Sequence, residues 1–289
     1  GSVQPEARAA LARLAELYAR KDSTIDLEFI NKNYFTLYEP LSAGKFGIAY
    51  GPYYISISPL QPVRTRNPAA EWEPIPIVSV SGEPARVQTN LDVAGYWIVS
   101  KECRTPEAIV KLLNYWYQKF YFNTSQEDYE TFINGPVYSG IYNNSPILSY
   151  RTWNNVEAYL QVQDVIDGKK SKEELGPIPF DYYTQMQKFL DGDDSAWSAL
   201  KCYEAVMGGL LHYRDNNLYE PDQSYFTVSD LTAQKFSALQ AKEREVYVKI
   251  IMGEADISEF DEFVTEWARL GGEDMIREVN EWFANQADD

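Results

Sequence analysis

The sequence is poor in the side chains that do most metal and covalent chemistry. Among 289 residues there is one histidine, His212, and there are two cysteines, Cys103 and Cys202. A single imidazole argues against zinc sites built on several histidines. Two cysteines cannot make the disulfide framework of a small secreted domain, and their spacing leaves open whether they pair. Basic residues are scarce as well. Lys and Arg number 26 against 43 Asp and Glu, a net charge of −17. Nucleic acid and anionic membrane surfaces would repel such a chain, so neither is expected as a partner. No apolar run approaches the roughly 18 residues of a membrane-spanning helix. Nor does a charged-then-apolar signal segment open the chain. No Gly-x-Ser-x-Gly elbow, Walker loop or Cys-x-x-Cys pair occurs, and the scattered carboxylates nominate no catalytic pair. Neither a cofactor nor a metal is expected.

What the sequence does hold is aromatic side chains: 22 Tyr, 13 Phe and 7 Trp. Tyrosine has an apolar face and a polar tip, which suits half-wet surfaces and polyhydroxylated ligands. The ordinary alternative for any one ring is the core. With 45% apolar residues the chain is of globular type, long enough for one large domain or two smaller ones.

Apolar spacing predicts a first helix over residues 4–20, with Ala7, Leu11, Leu14 and Tyr18 on one face. Residues 44–99 read as strand and loop. Phe46 to Tyr50 is a short apolar run stopped by Gly51-Pro52. Ile75 to Val80 and Arg86 to Thr89 suggest a hairpin about Ser81-Gly82, and Gly95 to Val99 suggests a buried strand. After Lys101 the chain turns helical. Thr105 is an expected N-cap with Pro106 in the first turn, ahead of a stripe of Ile109, Leu112, Leu113, Trp116 and Phe120. Residues 122–155 form a long loop. Helices are expected near 156–166, 181–190, 196–211, 229–252 and 258–270. Gly271-Gly272 then supplies a C-cap, and a last helix over 274–285 turns Ile276, Val279, Trp282 and Phe283 inward.

Several stretches together resemble a known family. They are Leu41 to Pro52, with its Gly44-Lys45, apolar run and Gly-Pro-aromatic end; Asn67-Pro68 through Trp72-Glu73-Pro74-Ile75-Pro76; and Gly95 to Lys101 followed by Pro106-Glu107-Ala108 and Lys111 to Asn114. Ile250 to Gly253, Phe260 to Phe263, Leu270-Gly271-Gly272 and Glu278 to Trp282 complete the set. In order and spacing these resemble the C-terminal half of an extracellular solute-binding lipoprotein of ABC sugar importers, of the family 1-like Gram-positive type. Residues 122–150 match poorly.

The resemblance implies a periplasmic-binding-protein-like (type II) α/β fold, here an incomplete portion, helix-rich with a small sheet. On that expectation residues 1–2 are a scar of tag removal. Residues 3–90 belong to the second lobe, and residues 91–289 hold the crossover strand and a mainly helical portion shared between lobes. The implied function is non-catalytic: binding a carbohydrate, an oligosaccharide, in an aromatic-lined interlobe cleft. Its partners would be the importer's membrane subunits. Its place would be the outer face of the cell membrane, lipid-anchored in the full-length protein. Alternatives are a glycoside hydrolase fragment, which needs two carboxylates roughly 5 to 10 Å apart across a cleft, and a cell-surface interaction module.

The candidate ligand residues follow. Gly51-Pro52 lets backbone approach a ligand, with Tyr53 and Tyr54 free to stack on a sugar ring; the alternative is a turn burying those rings. Asp92 is a hydroxyl-binding carboxylate beside Gly95, Tyr96 and Trp97 at the implied crossover; the alternative is a turn cap and a buried strand. Tyr138, Tyr142, Tyr150 and Trp153 are either a ligand-facing shelf or anchors of their own loop. Asp191-Gly192-Asp193-Asp194 departs from a calcium loop, with Ala196 and Cys202 at the positions that require Gly and Glu, and reads as a loop and cap. His212 reads as structural.

Overall fold

A computed structural model describes residues 1–20, 38–89, 95–122, 124–133, 147, 149–221 and 230–286. The chain is helix-rich with a small parallel sheet. Its main helices, in chain order, are α1 (Pro5–Ala19), α2 (Leu60–Arg66), α3 (Glu107–Tyr117), α4 (Asn154–Ile166), α5 (Pro177–Leu190), α6 (Trp197–Ala205), α7 (Leu211–Asp215), α8 (Asp230–Met252), α9 (Glu259–Trp267) and α10 (Glu273–Gln286). The strands are β1 (Val87–Thr89) and β2 (Tyr219–Pro221). Among the described residues no helix is long and apolar enough to cross a membrane.

Two compact units divide the chain. One spans Gly1–Tyr38 with Asp222–Asp289, the other Glu39–Pro221. The boundary expected at residues 90 and 91 therefore falls inside the span of the second unit.

In the first unit the stripe of α1 packs on α8, and α8 packs on α9. Leu11 is buried among Val246, Ile250, Ile251, Phe260 and Phe263, the core of this unit. Pro5 opens α1 at a position whose N–H has no helical partner to lose. Between α9 and α10 Gly271 takes φ 113°, which only glycine adopts easily, and a Cβ there would strike the Lys235 side chain. The stop expected at Gly271-Gly272 is found there: Gly271 leaves helical geometry and the next helix, α10, starts at Glu273. Of the four residues expected inward on α10, Val279 and Trp282 are partly buried, whereas Ile276 and Phe283 stay nearly half exposed.

In the second unit α4, α5 and α6 pack in succession. Val156, Tyr159, Cys202, Val206 and Leu211 form the core, with Tyr53, Tyr182 and Tyr203 against it. Tyr159 and Tyr182 stack at 4.7 Å, so part of the tyrosine excess is interior packing. On α3 Pro106 stands at the helix start with helical backbone angles, φ −61° and ψ −27°, and the Ala108 N–H donates to the Thr105 carbonyl at 3.0 Å. Trp116 and Phe120 are buried and stacked at 4.0 Å, whereas Leu112 faces outward.

The sheet corrects the sequence reading most. β1 pairs in parallel with β2, with Val87 opposite Tyr219, Gln88 opposite Glu220 and Thr89 opposite Pro221. Residues 75–80 are irregular and form no hairpin with 86–89. Phe46 to Tyr50 and Gly95 to Val99 likewise belong to no ladder, and Ile48, Tyr50, Tyr96 and Ile98 are exposed. β-favouring residues make a strand only where a partner edge meets them. Among the described residues the one ladder is the pair β1 and β2.

Candidate functional site

A cavity of about 230 Å³ lies within the second unit. Five pieces of chain wall it: Ala49 to Ser56, the irregular run Trp72 to Ile77, Leu60 of α2, Val87 of β1, and the helical stretch from Trp197 to Tyr213.

The first wall is set by local chemistry. Pro52 is extended at φ −67° and ψ 163°, then Tyr53–Ser56 closes a single 3₁₀ turn through the Ile55 N–H donating to the Pro52 carbonyl at 2.9 Å. A Cβ on Gly51 would push on the end of the Ile55 side chain, so glycine lets the turn close without moving it. The turn directs Tyr53 to the cavity, edge-on to Tyr54 with ring centres 5.3 Å apart.

The second wall is pinned by hydrogen bonds. The Ile77 N–H donates to the Tyr213 hydroxyl at 2.6 Å. At its other end the Trp197 indole donates to Glu71 at 3.3 Å, and the Arg64 guanidinium pairs with the same carboxylate. Arg64 also donates to Asp194 at 2.9 Å. Lys201 pairs with Glu204 at 2.8 Å and lies 4.0 Å from Glu71. Two cations, Arg64 and Lys201, thus meet Glu71, Asp194 and Glu204 behind the wall. Among the described residues the charged side chains that line the cavity itself are Lys201 and Glu73, one of each sign, so the setting favours a neutral ligand.

The tyrosine hydroxyls and the thiol packed at the cavity stay protonated at ordinary pH. Burial pushes the Tyr53 and Tyr159 hydroxyls well above the usual tyrosine range, with Cys202 and Tyr182 adding to it. Burial also raises the Cys202 thiol, against the opposing hydrogen bond from Ser56. Raised values leave no thiolate or phenolate for nucleophilic attack. Among the described residues no three His, Cys, Asp or Glu side chains converge as a metal ligand set.

Of the residues nominated from the sequence, Gly51, Pro52 and Tyr53 line the cavity, whereas Tyr54 is half exposed and does not. Asp92 and Tyr142, like Tyr138, lie outside the described residues. Gly95, Tyr96 and Trp97 line no described cavity; they sit in exposed irregular chain, which corrects the buried strand expected for them. Trp153 is the N-cap of α4 at φ 63° and meets Tyr219 edge-on at 5.4 Å, a contact that anchors the chain. Asp193 accepts from the Ser195 N–H at 3.0 Å, as a loop cap does. His212 is exposed, its ring edge-on to Tyr213 at 5.6 Å.

Sequence reasoning missed Trp72, Trp197, Lys201, Gly209 and Tyr213 as lining residues. One signal was available for them: the glycine pair Gly208-Gly209 inside an otherwise helical stretch. Comparison with protein-family profiles, characterised proteins and solved structures finds no match.

Proposed function

We propose that this chain is a non-catalytic solute-binding protein that holds a carbohydrate beside Tyr53. One observation carries the reading: a cavity that joins Tyr53, Trp72, Trp197 and Tyr213 to polar groups at Lys201 and Glu73. Ring faces favour the apolar side of a sugar, and a few placed polar groups select its hydroxyls. Among the described residues Glu73 is the one carboxylate lining this cavity, whereas sugar hydrolysis needs a pair.

The same reading includes the finer fold, partner and location. These are a periplasmic-binding-protein-like type II architecture, the membrane subunits of an ABC importer, and a lipid-anchored position outside the cell. Its support is the order of segments from Leu41 to Trp282, together with the helix-rich chain and small parallel sheet.

Titration calorimetry and thermal shift against a panel of sugars, with peptides and polyamines as contrast, test it. Binding to at least one glycan is expected. A response confined to peptides or polyamines removes the carbohydrate assignment.

A further inference from the structure

Trp197, Lys201, Ala205, Gly209 and Tyr213 all line the cavity, and they are spaced by four residues. A regular α-helix advances 100° per residue, so a row at this spacing drifts by about 40° per step. Over the four steps Tyr213 would point about 160° away from Trp197, off the cavity. The chain prevents this at Val206–Leu210, which is a π-helical turn. The Leu211 N–H donates to the Val206 carbonyl, five residues back. One inserted residue sets the phase back by about 100° and leaves a drift of about 60°. The row therefore faces one cavity along its whole length.

The side chains along that row run large, long, small, absent, large. The hollow lies over Ala205 and Gly209, between Trp197 and Tyr213. A Cβ placed on Gly209 meets no atom within 4 Å, so packing is not the reason for a glycine. At about 230 Å³ the space is smaller than the roughly 300–1,000 Å³ typical of ligand pockets.

We infer that the π turn at Val206–Leu210 sizes the cavity for a single neutral ring, with Gly209 as the specificity-determining residue. This rests on the carbohydrate reading and narrows it, from an oligosaccharide to one sugar unit.

The test is titration calorimetry of wild type, Gly209→Ala and Gly209→Leu. The one-ring probes are methyl glucoside, methyl galactoside, methyl xyloside and cyclohexanol. The two-ring probes are maltose, lactose and xylobiose. Near-ultraviolet circular dichroism verifies each fold, and a graded loss in Gly209→Ala carries the test if the leucine variant does not fold. Wild type is expected to bind a one-ring glycoside at least tenfold tighter than the matching disaccharide. Gly209→Leu is expected to lose at least tenfold for one-ring probes. A disaccharide bound as tightly as its monomer, or binding indifferent to residue 209, overturns the sizing role and leaves the carbohydrate reading standing. Cyclohexanol binding that depends on residue 209, with no sugar bound, keeps the sizing role and overturns the carbohydrate reading. No binding of any probe overturns both.

Discussion

The backbone N–H of Ile77 donates to the side-chain hydroxyl of Tyr213 at 2.6 Å, joining chain segments 136 residues apart. This bond holds the irregular run Trp72 to Ile77 against α7 and so closes one side of the cavity. Tyr213→Phe keeps the ring and removes the acceptor. The variant is expected to lose about 1 kcal/mol of stability, the net worth of a typical hydrogen bond. Amide exchange at Ile77 is expected to accelerate while α6 stays protected. Urea unfolding and hydrogen exchange read the two effects.

Arg64 is the hub on the other side. Its side chain is only 10% exposed, while Glu71 and Asp194 are about half exposed. Arg64→Met leaves two carboxylates that water can still reach, so the cost is expected to lie between that of an exposed pair and that of a broken buried pair, about 1–3 kcal/mol. The fixed position of Glu71 is lost too, and the Trp197 indole loses its acceptor. Chemical denaturation measures the first effect and tryptophan fluorescence the second.

The two thiols are expected to react very differently. Cys103 is exposed, whereas Cys202 is buried against Ser56 and Tyr159 with its thiol held protonated. Iodoacetamide at neutral pH is expected to modify Cys103 in the native protein and Cys202 only after unfolding. Peptide mass mapping gives the order. Equal rates would mean that the core around Cys202 opens readily.

Alkaline pH is expected to unfold the second unit. Tyr53 and Tyr159 titrate far higher in the folded protein than the ordinary tyrosine value of 10.0. A group whose folded value is raised gives stability that is complete below the unfolded value and declines above it. Stability is therefore expected to hold up to about pH 10 and to fall beyond it. Phenolate absorbance near 295 nm should rise in two steps, the exposed tyrosines first and the buried ones only with the loss of helical circular dichroism. A rise that is complete well before unfolding would contradict the burial of Tyr53 and Tyr159.

The helices were legible because their apolar spacing survives in the fold. Leu11 on α1 and Phe260 and Phe263 on α9 are buried where the pattern puts them. Strands were not legible for a physical reason. Gly95 to Val99 has the composition of a strand, but pairing depends on a partner edge that composition does not reveal. Within the site, Tyr53 was readable from the Gly-Pro-Tyr turn. The row Trp197 to Tyr213 was not, because a regular helix would scatter those five side chains around its axis, and the π turn that aligns them is a backbone event. The glycine pair at 208 and 209 marks where it happens.

The most direct test of the account is a crystal structure of the chain grown with the tightest-binding sugar of the panel. A sugar ring beside Tyr53, between Trp197 and Tyr213, with hydroxyls near Lys201 and Glu73, is the predicted result. A sugar bound elsewhere on the chain, or a cavity filled only by water at saturating ligand, would contradict it.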